Sequence, residues 1–410
     1  MDPIRNPYTP NAGAEPPAVL GRDVQLQTFD ILLQRMSIGR TEQSMVITGL
    51  RGVGKTVLLG RFEQRAREHG WVVIDKEVSK RDDTHFRHQL ASSMRTALLK
   101  LSPRARWGER MTRAAAVLKS FSVSVDPEGT ITGGFDVQAA EGYGDHQDLS
   151  ADLTDLLVAV GEAAQAGERG VVLLFDEVQF LSSSQLEALI SAIHKTVQRR
   201  LPVTMVGAGL PQIAELAGDA KSYSERLFKF PRIGNLEDGD ARRALSEPAT
   251  AEGAGYDEDA LDLAVEVTGG YPYFLQELGY AAWGMAQGPT ITRLDIERTV
   301  PVYEAKLDES FFRVRLDRAT ELQRAYLRAM AELGPGAKKA QDVANVMGRK
   351  STQLGPTRAQ LIDMGLLFTP EHGYAEFTVP HFDQFMLRAM PSLVVPPVRR
   401  RSKGNPADED

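Results

Sequence analysis

The stretch GLRGVGKT, from Gly49 to Thr56, contains the residue types that bind a nucleoside triphosphate. Its spacing matches the pattern G-x-x-x-x-G-K-[ST] without deviation. Glycines let backbone amides surround phosphate oxygens, and the N-terminus of a following helix adds partial positive charge. We expect Lys55 to contact the β- and γ-phosphates and the Thr56 hydroxyl to bind Mg²⁺. The predicted nucleotide-binding residues of this loop are Gly49, Leu50, Arg51, Gly52, Val53, Gly54, Lys55, Thr56 and Val57.

A second candidate element, VVLLFDE from Val171 to Glu177, ends in two acids. Its apolar run predicts a strand buried on both faces, which puts Asp176 at the carboxyl end of that strand. There we expect Asp176 to hold the Mg²⁺ shell and Glu177 to polarise the water that attacks the terminal phosphate. Solvated acids at a strand end are the alternative, but the phosphate-binding pattern earlier in the chain favours a shared site.

Composition limits the other classes of function. The chain has 410 residues, which suggests roughly two to three domains. Hydrophobic residues make up 42% and the net charge is −7, so the whole protein is neither disordered nor a non-specific polycation. The absence of cysteine excludes disulfides, cysteine–zinc sites and cysteine nucleophiles. We recognise no membrane or targeting segment and expect a cytoplasmic protein without membrane partners.

Strand-like and helix-like segments alternate over the first half of the chain, which predicts a parallel sheet with crossover helices. The strand-like segments are SMVITGL, WVVIDKEV, VVLLF and VTMVGAG. The stretch FSVSVDPEGTITGGFDVQ alternates apolar and polar residues around a turn, and this predicts a hairpin in an insertion near 103–148. Residues 236–300 have the pattern of several helices.

These motifs resemble the AAA+/STAND class of P-loop ATPases, and most closely its bacterial and archaeal members related to origin-recognition initiators. The resemblance covers roughly residues 5–390. VLGRDVQL is similar to the segment of this class that lies beside the adenine base. The resemblance therefore implies nucleotide contacts for Leu20, Gly21 and Arg22, whereas from the residues alone Arg22 would be a surface arginine.

Two more segments resemble regulatory motifs of the class. GGYPYFLQ is similar to the G-x-P motif of the STAND lid, which implies that Pro272 touches the adenine or ribose. An ordinary helix start with proline in its first turn is the alternative. YSERLF is similar to the segment that carries an arginine finger in AAA+ oligomers, which implies that Arg226 reaches the γ-phosphate of a neighbouring subunit. A salt-bridged surface arginine is the alternative.

The sequence also departs from the class. The strand VTMVGAG should end near a polar sensor residue, yet Gly207, Ala208 and Gly209 occupy that region. The lid has no arginine next to its Gly-Tyr-Pro. Both absences favour a slow switch over a fast motor, and neither identifies a γ-phosphate sensor.

The C-terminal part has the pattern of a helix-turn-helix followed by two short strands, which predicts a winged helix. Basic residues cluster there, and the candidate DNA contacts are Arg349, Lys350 and Arg358. The alternative is that this module packs against the protein itself, since its acids and bases are nearly balanced.

We therefore expect an α/β fold: a P-loop parallel sheet, an α-helical lid and a C-terminal winged-helix domain. The expected boundaries are 1–234, 235–305 and 306–395, with a disordered tail over 396–410. The first domain begins with a proline-rich segment, residues 1–19, which predicts an extended N-terminal strap. The leading hypothesis is a slow regulatory ATPase that uses ATP and Mg²⁺, with Lys55, Glu177 and Arg226 as catalytic residues. A DNA-binding initiator or mobile-element ATPase and a non-hydrolysing switch remain alternatives. Homo-oligomers and unidentified protein partners are compatible with each hypothesis.

Overall fold

The computed structural model describes residues 1–397 apart from positions 12, 81, 104, 105, 124, 127, 129 and 134. The chain divides into two units, Met1–Pro301 and a second that begins at Val302. The predicted boundaries at 234 and 305 stay predictions, and most of the predicted tail, from residue 398 on, lies outside the described residues. Among the described residues, no helix combines the length and hydropathy needed to cross a bilayer.

The first unit is built on five parallel strands: Ser44–Thr48 (β1), Val72–Glu77 (β2), Val171–Asp176 (β3), Val203–Gly209 (β4) and Phe228–Lys229 (β5). Their order in the sheet is β2–β3–β4–β1–β5. Strands β1, β3 and β4 are buried along their whole length, as expected for central strands covered on both faces. The predicted α/β parallel sheet is therefore confirmed.

Helices cover the sheet and connect its strands. Several begin at a side-chain cap: the Asp82, Asp148 and Ser182 side chains each accept a bond from a backbone N–H three residues later. The helices before the lid are Asp23–Ser37 (α1), Lys55–Glu68 (α2), Asp83–Leu101 (α3), Glu109–Val123 (α4), Leu149–Ala166 (α5), Ser183–Gln198 (α6), Ile213–Ala220 (α7) and Ser224–Leu227 (α8).

Strand β4 lies between β1 and β3, and this order decides which loops meet. Thr48 pairs with Gly209, and Phe175 pairs with Gly207, so the three strands end at one edge of the sheet. The loop after β1 and the acids at the end of β3 therefore lie on either side of the end of β4. In parallel α/β sheets this edge is where ligands bind.

The predicted hairpin in the insertion near 103–148 is wrong. Residues 121–123 belong to α4, and the described residues between Val123 and Leu149 contain no strand. Part of the predicted turn, Pro127 and Gly129, lies outside the described residues.

The alternating residues of this stretch continue a helical period that starts earlier. The buried apolar residues of α4 recur every three or four positions, as a helix requires: Met111, Ala114, Ala115, Val117, Leu118 and Phe121. Ser120 and Ser122 are also buried, because their hydroxyl groups donate to the carbonyls of Ala140 and Lys119. The sequence pattern predicted that these serines face solvent from a strand, whereas both are buried in a helix with their hydroxyl groups hydrogen-bonded.

The lid consists of three helices and a two-stranded parallel sheet: Asp238–Ala251 (α9), Gly255–Tyr256 (β6), Glu258–Thr268 (α10), Pro272–Met285 (α11) and Thr290–Ile291 (β7). Helix Arg293–Lys306 (α12) contains the division between the two units.

The first nine residues of the predicted N-terminal strap lie against the lid. Tyr8 is 2% exposed, and its hydroxyl donates to the Leu245 carbonyl at 2.6 Å. Its ring covers Gly279, where a Cβ atom would lie 2.7 Å from the ring. The terminal ammonium of Met1 donates to the Ala286 carbonyl. The strap is thus part of the packed structure of the first unit.

The second unit contains a π-helical stretch, Leu307–Phe312, followed by Arg313–Leu316 (α13), Glu321–Glu332 (α14), Lys338–Lys339 (β8), Ala340–Val346 (α15), Ser351–Asp363 (α16), Leu367–Phe368 (β9), Tyr374–Phe377 (β10) and Phe382–Ala389 (α17). Its antiparallel strands have the order β8–β10–β9. The rings of Phe312, Phe382 and Phe385 pack together. Two helices followed by two strands agree with the predicted pattern, and the classification as a winged helix stays a prediction.

Candidate nucleotide site

The loop between β1 and α2 has a backbone shape that depends on glycine. Gly52 and Gly54 have φ angles of 78° and 92°, in the left-handed region that other residues rarely adopt. A Cβ atom at Gly49 would lie 2.5 Å from the carbonyl oxygen of Ile233. The loop therefore keeps its backbone close to its neighbours and ends at the first turn of α2, as a phosphate-binding loop requires.

The ammonium of Lys55 is buried at the centre of this loop. The residue is 6% exposed, and Nζ donates to the carbonyl oxygens of Gly49 at 3.1 Å and Leu50 at 2.8 Å. Burial lowers the pKa of Lys55, and the carboxylates of Glu177 and Asp176 oppose that shift. Two neutral carbonyls compensate a buried positive charge only in part, so an anion at this position would be stabilised.

Arg51 adds a second positive charge to the same loop. Its Nε atom is buried and has no hydrogen-bond partner among the described residues. Burial is the main influence that lowers the pKa of Lys55, and the positive charge of Arg51 lowers it further. An unsatisfied guanidinium nitrogen beside a buried ammonium fits a site that is completed by phosphate oxygens.

Thr56 and Asp176 connect the loop to the end of β3. The Thr56 hydroxyl donates to Asp176 Oδ2 at 2.6 Å, and the backbone N–H of Glu177 donates to Asp176 Oδ1 at 2.8 Å. Burial raises the pKa of Asp176, and the hydrogen bond from Thr56 opposes this. Thr56 and Asp176, which lie 120 positions apart in the sequence, are therefore in direct contact, and their role as Mg²⁺ ligands stays a prediction.

This pair of oxygens fits Mg²⁺, which binds hard oxygen ligands. The part of the chain that the structure describes has no cluster of three or more histidines or acids arranged for a metal. Water and phosphate oxygens would therefore supply the other ligands, which is the usual arrangement for Mg²⁺ at a nucleotide.

Glu177 follows directly and adopts an unusual backbone conformation. Its φ of 55° is left-handed, and it caps the short 3₁₀ helix Val178–Phe180. Its carboxylate accepts a hydrogen bond from Nε2 of Gln179, a residue that the sequence analysis did not identify. The only signal was the position of this glutamine, two residues after the strand-end glutamate.

Arg22 lies beside the loop, and its guanidinium contacts backbone carbonyls. It is 7% exposed and donates to Gly21 at 2.9 Å, Val53 at 3.0 Å and Gly234 at 2.7 Å. Burial lowers the pKa of Arg22, and Asp240 opposes the shift. Arg22 therefore joins the loop to the segment that enters the lid, and the adenine contacts of Leu20, Gly21 and Arg22 stay predictions.

The lid contacts the loop through Tyr271, which the sequence analysis also missed. Tyr271 is fully buried, and its hydroxyl donates to the carbonyl of Arg51. A Cβ atom at Gly52 would lie 2.4 Å from that hydroxyl oxygen. Pro272 is the first residue of α11, and its predicted nucleotide contact stays a prediction.

Arg226 lies on the short helix α8 and is exposed. Its carbonyl accepts a bond from Gln43, whereas its guanidinium has no hydrogen bond or ion pair with any residue that the structure describes. The alternative of a salt-bridged surface arginine thus receives no support from these contacts.

The candidate DNA contacts of the second unit differ from one another. The Arg349 guanidinium donates to the carbonyl of Pro396, and the Arg358 guanidinium donates to the carbonyl of Tyr374. Lys350 is exposed at the start of α16. Both arginines therefore fasten parts of the unit together, and only the lysine presents its charge to solvent.

The burial of Asp176 leads to a prediction about stability. Because its pKa is raised in the folded chain, the ionised carboxylate costs stability as pH rises through that pKa. Asp176→Asn keeps an acceptor for Thr56 and removes the charge. At neutral pH, without nucleotide, we expect the free energy of unfolding to rise by on the order of 1 kcal/mol, although Mg²⁺-dependent ligand binding is lost.

Thermal unfolding measures this effect, and Glu215→Gln, which removes an exposed carboxylate, is the control. A lower melting temperature for Asp176→Asn than for the control would contradict the account of a costly buried charge.

Comparisons with known proteins agree with this geometry. Residues 18–206 match the family model described as an AAA ATPase domain, and residues 309–386 match one described as a domain of unknown function, DUF8462. No curated protein sequence matches the chain.

Solved structures also resemble the chain, at low sequence identity. The Walker-type ATPase PABY2304 of Pyrococcus abyssi is 14% identical, with a TM-score of 0.53 and coverage of 90% of this chain and 96% of that one. Orc1 of Aeropyrum pernix, solved in complex with DNA, is 14% identical, with a TM-score of 0.46 and coverage of 94% and 96%. The range that matches the AAA ATPase domain model, residues 18–206, contains the phosphate-binding loop and both strand-end acids.

Proposed function

We propose that this protein binds ATP with Mg²⁺ and hydrolyses it slowly, as a regulatory switch whose lid responds to the bound nucleotide. The observation that carries the proposal is the buried ammonium of Lys55, held by two loop carbonyls beside the Thr56–Asp176 pair. This arrangement supports the proposal because a positive charge, backbone amides and two oxygen donors, the groups that bind Mg²⁺ and a triphosphate, lie close together.

The chemistry follows from these groups. Lys55 and the loop amides neutralise the phosphates, and Thr56 and Asp176 hold Mg²⁺, which supplies charge compensation to the phosphate oxygens when bound. Glu177 orients the attacking water and accepts its proton. Phosphoryl transfer needs little covalent help, so positioning and electrostatics account for most of the rate.

Contacts between the loop and the lid support the switch. Tyr271 donates to Arg51, and the Arg22 guanidinium bridges the carbonyls of Val53 and Gly234. The backbone N–H of Leu236 also donates to the carbonyl of Gly270 at 2.8 Å. A loop that changes shape around a phosphate would therefore move groups that the lid contacts. In the proposal, the C-terminal unit follows the same nucleotide states.

DNA binding is not part of the proposal. Arg349 and Arg358 donate to backbone carbonyls within their own unit, so two of the three candidate contacts are engaged. A duplex that bound through Lys350 alone would gain little from counterion release. Gel-shift assays at two salt concentrations should show no salt-sensitive complex.

A prediction about turnover concerns the Glu177 carboxylate. Glu177→Gln removes the carboxylate that orients water and leaves Lys55, Thr56 and Asp176 in place. We expect ATP affinity to be retained and the single-turnover rate to fall by about 10²-fold or more. Glu215→Gln is the control, because it changes the same chemical group on the exposed face of α7.

The two outcomes that contradict this role are distinct. Unchanged phosphate release from Glu177→Gln would remove Glu177 from the mechanism. Hydrolysis by the unaltered protein no faster than the uncatalysed background would favour the non-hydrolysing switch.

Another prediction concerns Arg226, whose exposed guanidinium could complete the site of a neighbouring copy. If it acts between subunits, Arg226→Ala and Glu177→Gln should each lose turnover alone. A mixture should recover part of the activity, because the first variant supplies an intact Glu177 and the second an intact Arg226. No recovery in the mixture, with both variants folded and able to bind ATP, would contradict a role between subunits.

A further inference from the structure

Gln179 lies between the ends of strands β3 and β4, and both ends of its side-chain amide are used. Its Nε2 atom donates to the carboxylate of Glu177. Its Oε1 atom accepts a hydrogen bond from the backbone N–H of Leu210 at 3.1 Å, just after β4 ends. One side chain thus connects the carboxylate that follows β3 to the backbone that follows β4.

The glycine at the end of β4 provides the space for this connection. A Cβ atom at Gly209 would lie 2.8 Å from Oε1 of Gln179 and 2.9 Å from Cγ2 of Val178. Cβ atoms essentially never make contacts that short, so a residue larger than glycine at 209 would displace the amide. The absence of a side chain at the end of β4 is therefore explained by the presence of Gln179.

The same strand end also contacts the phosphate-binding loop. The backbone N–H of Gly49 donates to the carbonyl of Gly209 at 3.2 Å. A continuous path therefore leads from the Glu177 carboxylate through Gln179 and the end of β4 to the first glycine of the loop. A shift of the loop would be transmitted to Glu177 through these contacts.

Glu177 needs such support because its backbone alone does not hold its side chain. Its left-handed φ of 55° is costly for a residue with a Cβ atom, and the bond from its N–H to Asp176 fixes only the main chain. The hydrogen bond from Gln179 fixes the carboxylate itself. The rate effect of a group that orients water depends on its position to within about 1 Å.

We propose that Gln179 is a positioning residue that fixes the Glu177 carboxylate relative to the phosphate-binding loop. This inference rests on the proposed function, since it assigns Glu177 the role of orienting water. Gln179 acts through Glu177, and the hydrogen bonds of Lys55 and Thr56 do not involve it.

Two substitutions separate the halves of the amide. Gln179→Met keeps the length of the side chain and removes both hydrogen bonds. Gln179→Glu keeps an acceptor for the Leu210 N–H and replaces the donor to Glu177 with a second carboxylate. We expect kcat to fall by about 10- to 100-fold in both, and at least as far in Gln179→Glu, because two carboxylates repel each other.

The affinity for ATP distinguishes positioning from a general structural defect. Calorimetric titration with Mg²⁺-ATP should give dissociation constants within about twofold of the unaltered protein, so that the loss appears in kcat and not in KM. A loss of affinity equal to the loss of kcat would overturn the positioning role.

Gly209→Ala tests the same idea without altering Gln179. The added methyl group displaces the amide, so kcat should fall as in Gln179→Met. Gly218→Ala, on α7, is the matched control, because no atom beyond the neighbouring turns of its own helix lies within 4 Å of its Cβ position. If the unaltered protein hydrolyses ATP and Gln179→Met keeps the full kcat, this inference alone is overturned. If the unaltered protein binds ATP but does not hydrolyse it, the proposed function is contradicted as well.

Discussion

The candidate nucleotide site depends on the buried ammonium group of Lys55, whose positive charge is only partly compensated by the groups around it. Lys55 is 6% exposed and donates to two loop carbonyls, while Arg51 places a second positive charge in the same loop. Burial lowers the pKa of Lys55 in spite of the carboxylates of Glu177 and Asp176, so the free protein carries a cost that an anion can relieve. The buried carboxylate of Asp176 adds a second cost, which a cation would relieve.

The strand order turns this local chemistry into a connected site. Because β4 separates β1 from β3, its end contacts both the loop and the acids, and glycine at 209 leaves space for Gln179. The lid reaches the loop from another direction through Tyr271. Both contacts meet the loop at its backbone, and the shape of that backbone depends on the glycines of the loop.

The phosphate-binding loop and strand β3 were predictable because each has a recognisable pattern within a few consecutive residues. The loop has the glycine and lysine spacing of Gly49 to Thr56, and the strand has the apolar run before Asp176. Gln179 and Tyr271 were not predictable in the same way, because their roles come from strands and helices that meet only in the folded chain. The false hairpin has a different cause. Two serines near the end of α4 are buried, because their hydroxyl groups donate to carbonyl oxygens. These polar residues made the sequence alternate between apolar and polar positions as a strand does, although the segment is helical.

The most direct test of the central claim is calorimetric titration of the intact protein with Mg²⁺-ATP, alongside Lys55→Ala. Relief of the buried charge predicts binding with a dissociation constant on the order of 1 μM to 1 mM, and no measurable heat for the variant. No heat from the intact protein, or equal affinity in the two proteins, would contradict the claim that this lysine and its loop hold a triphosphate.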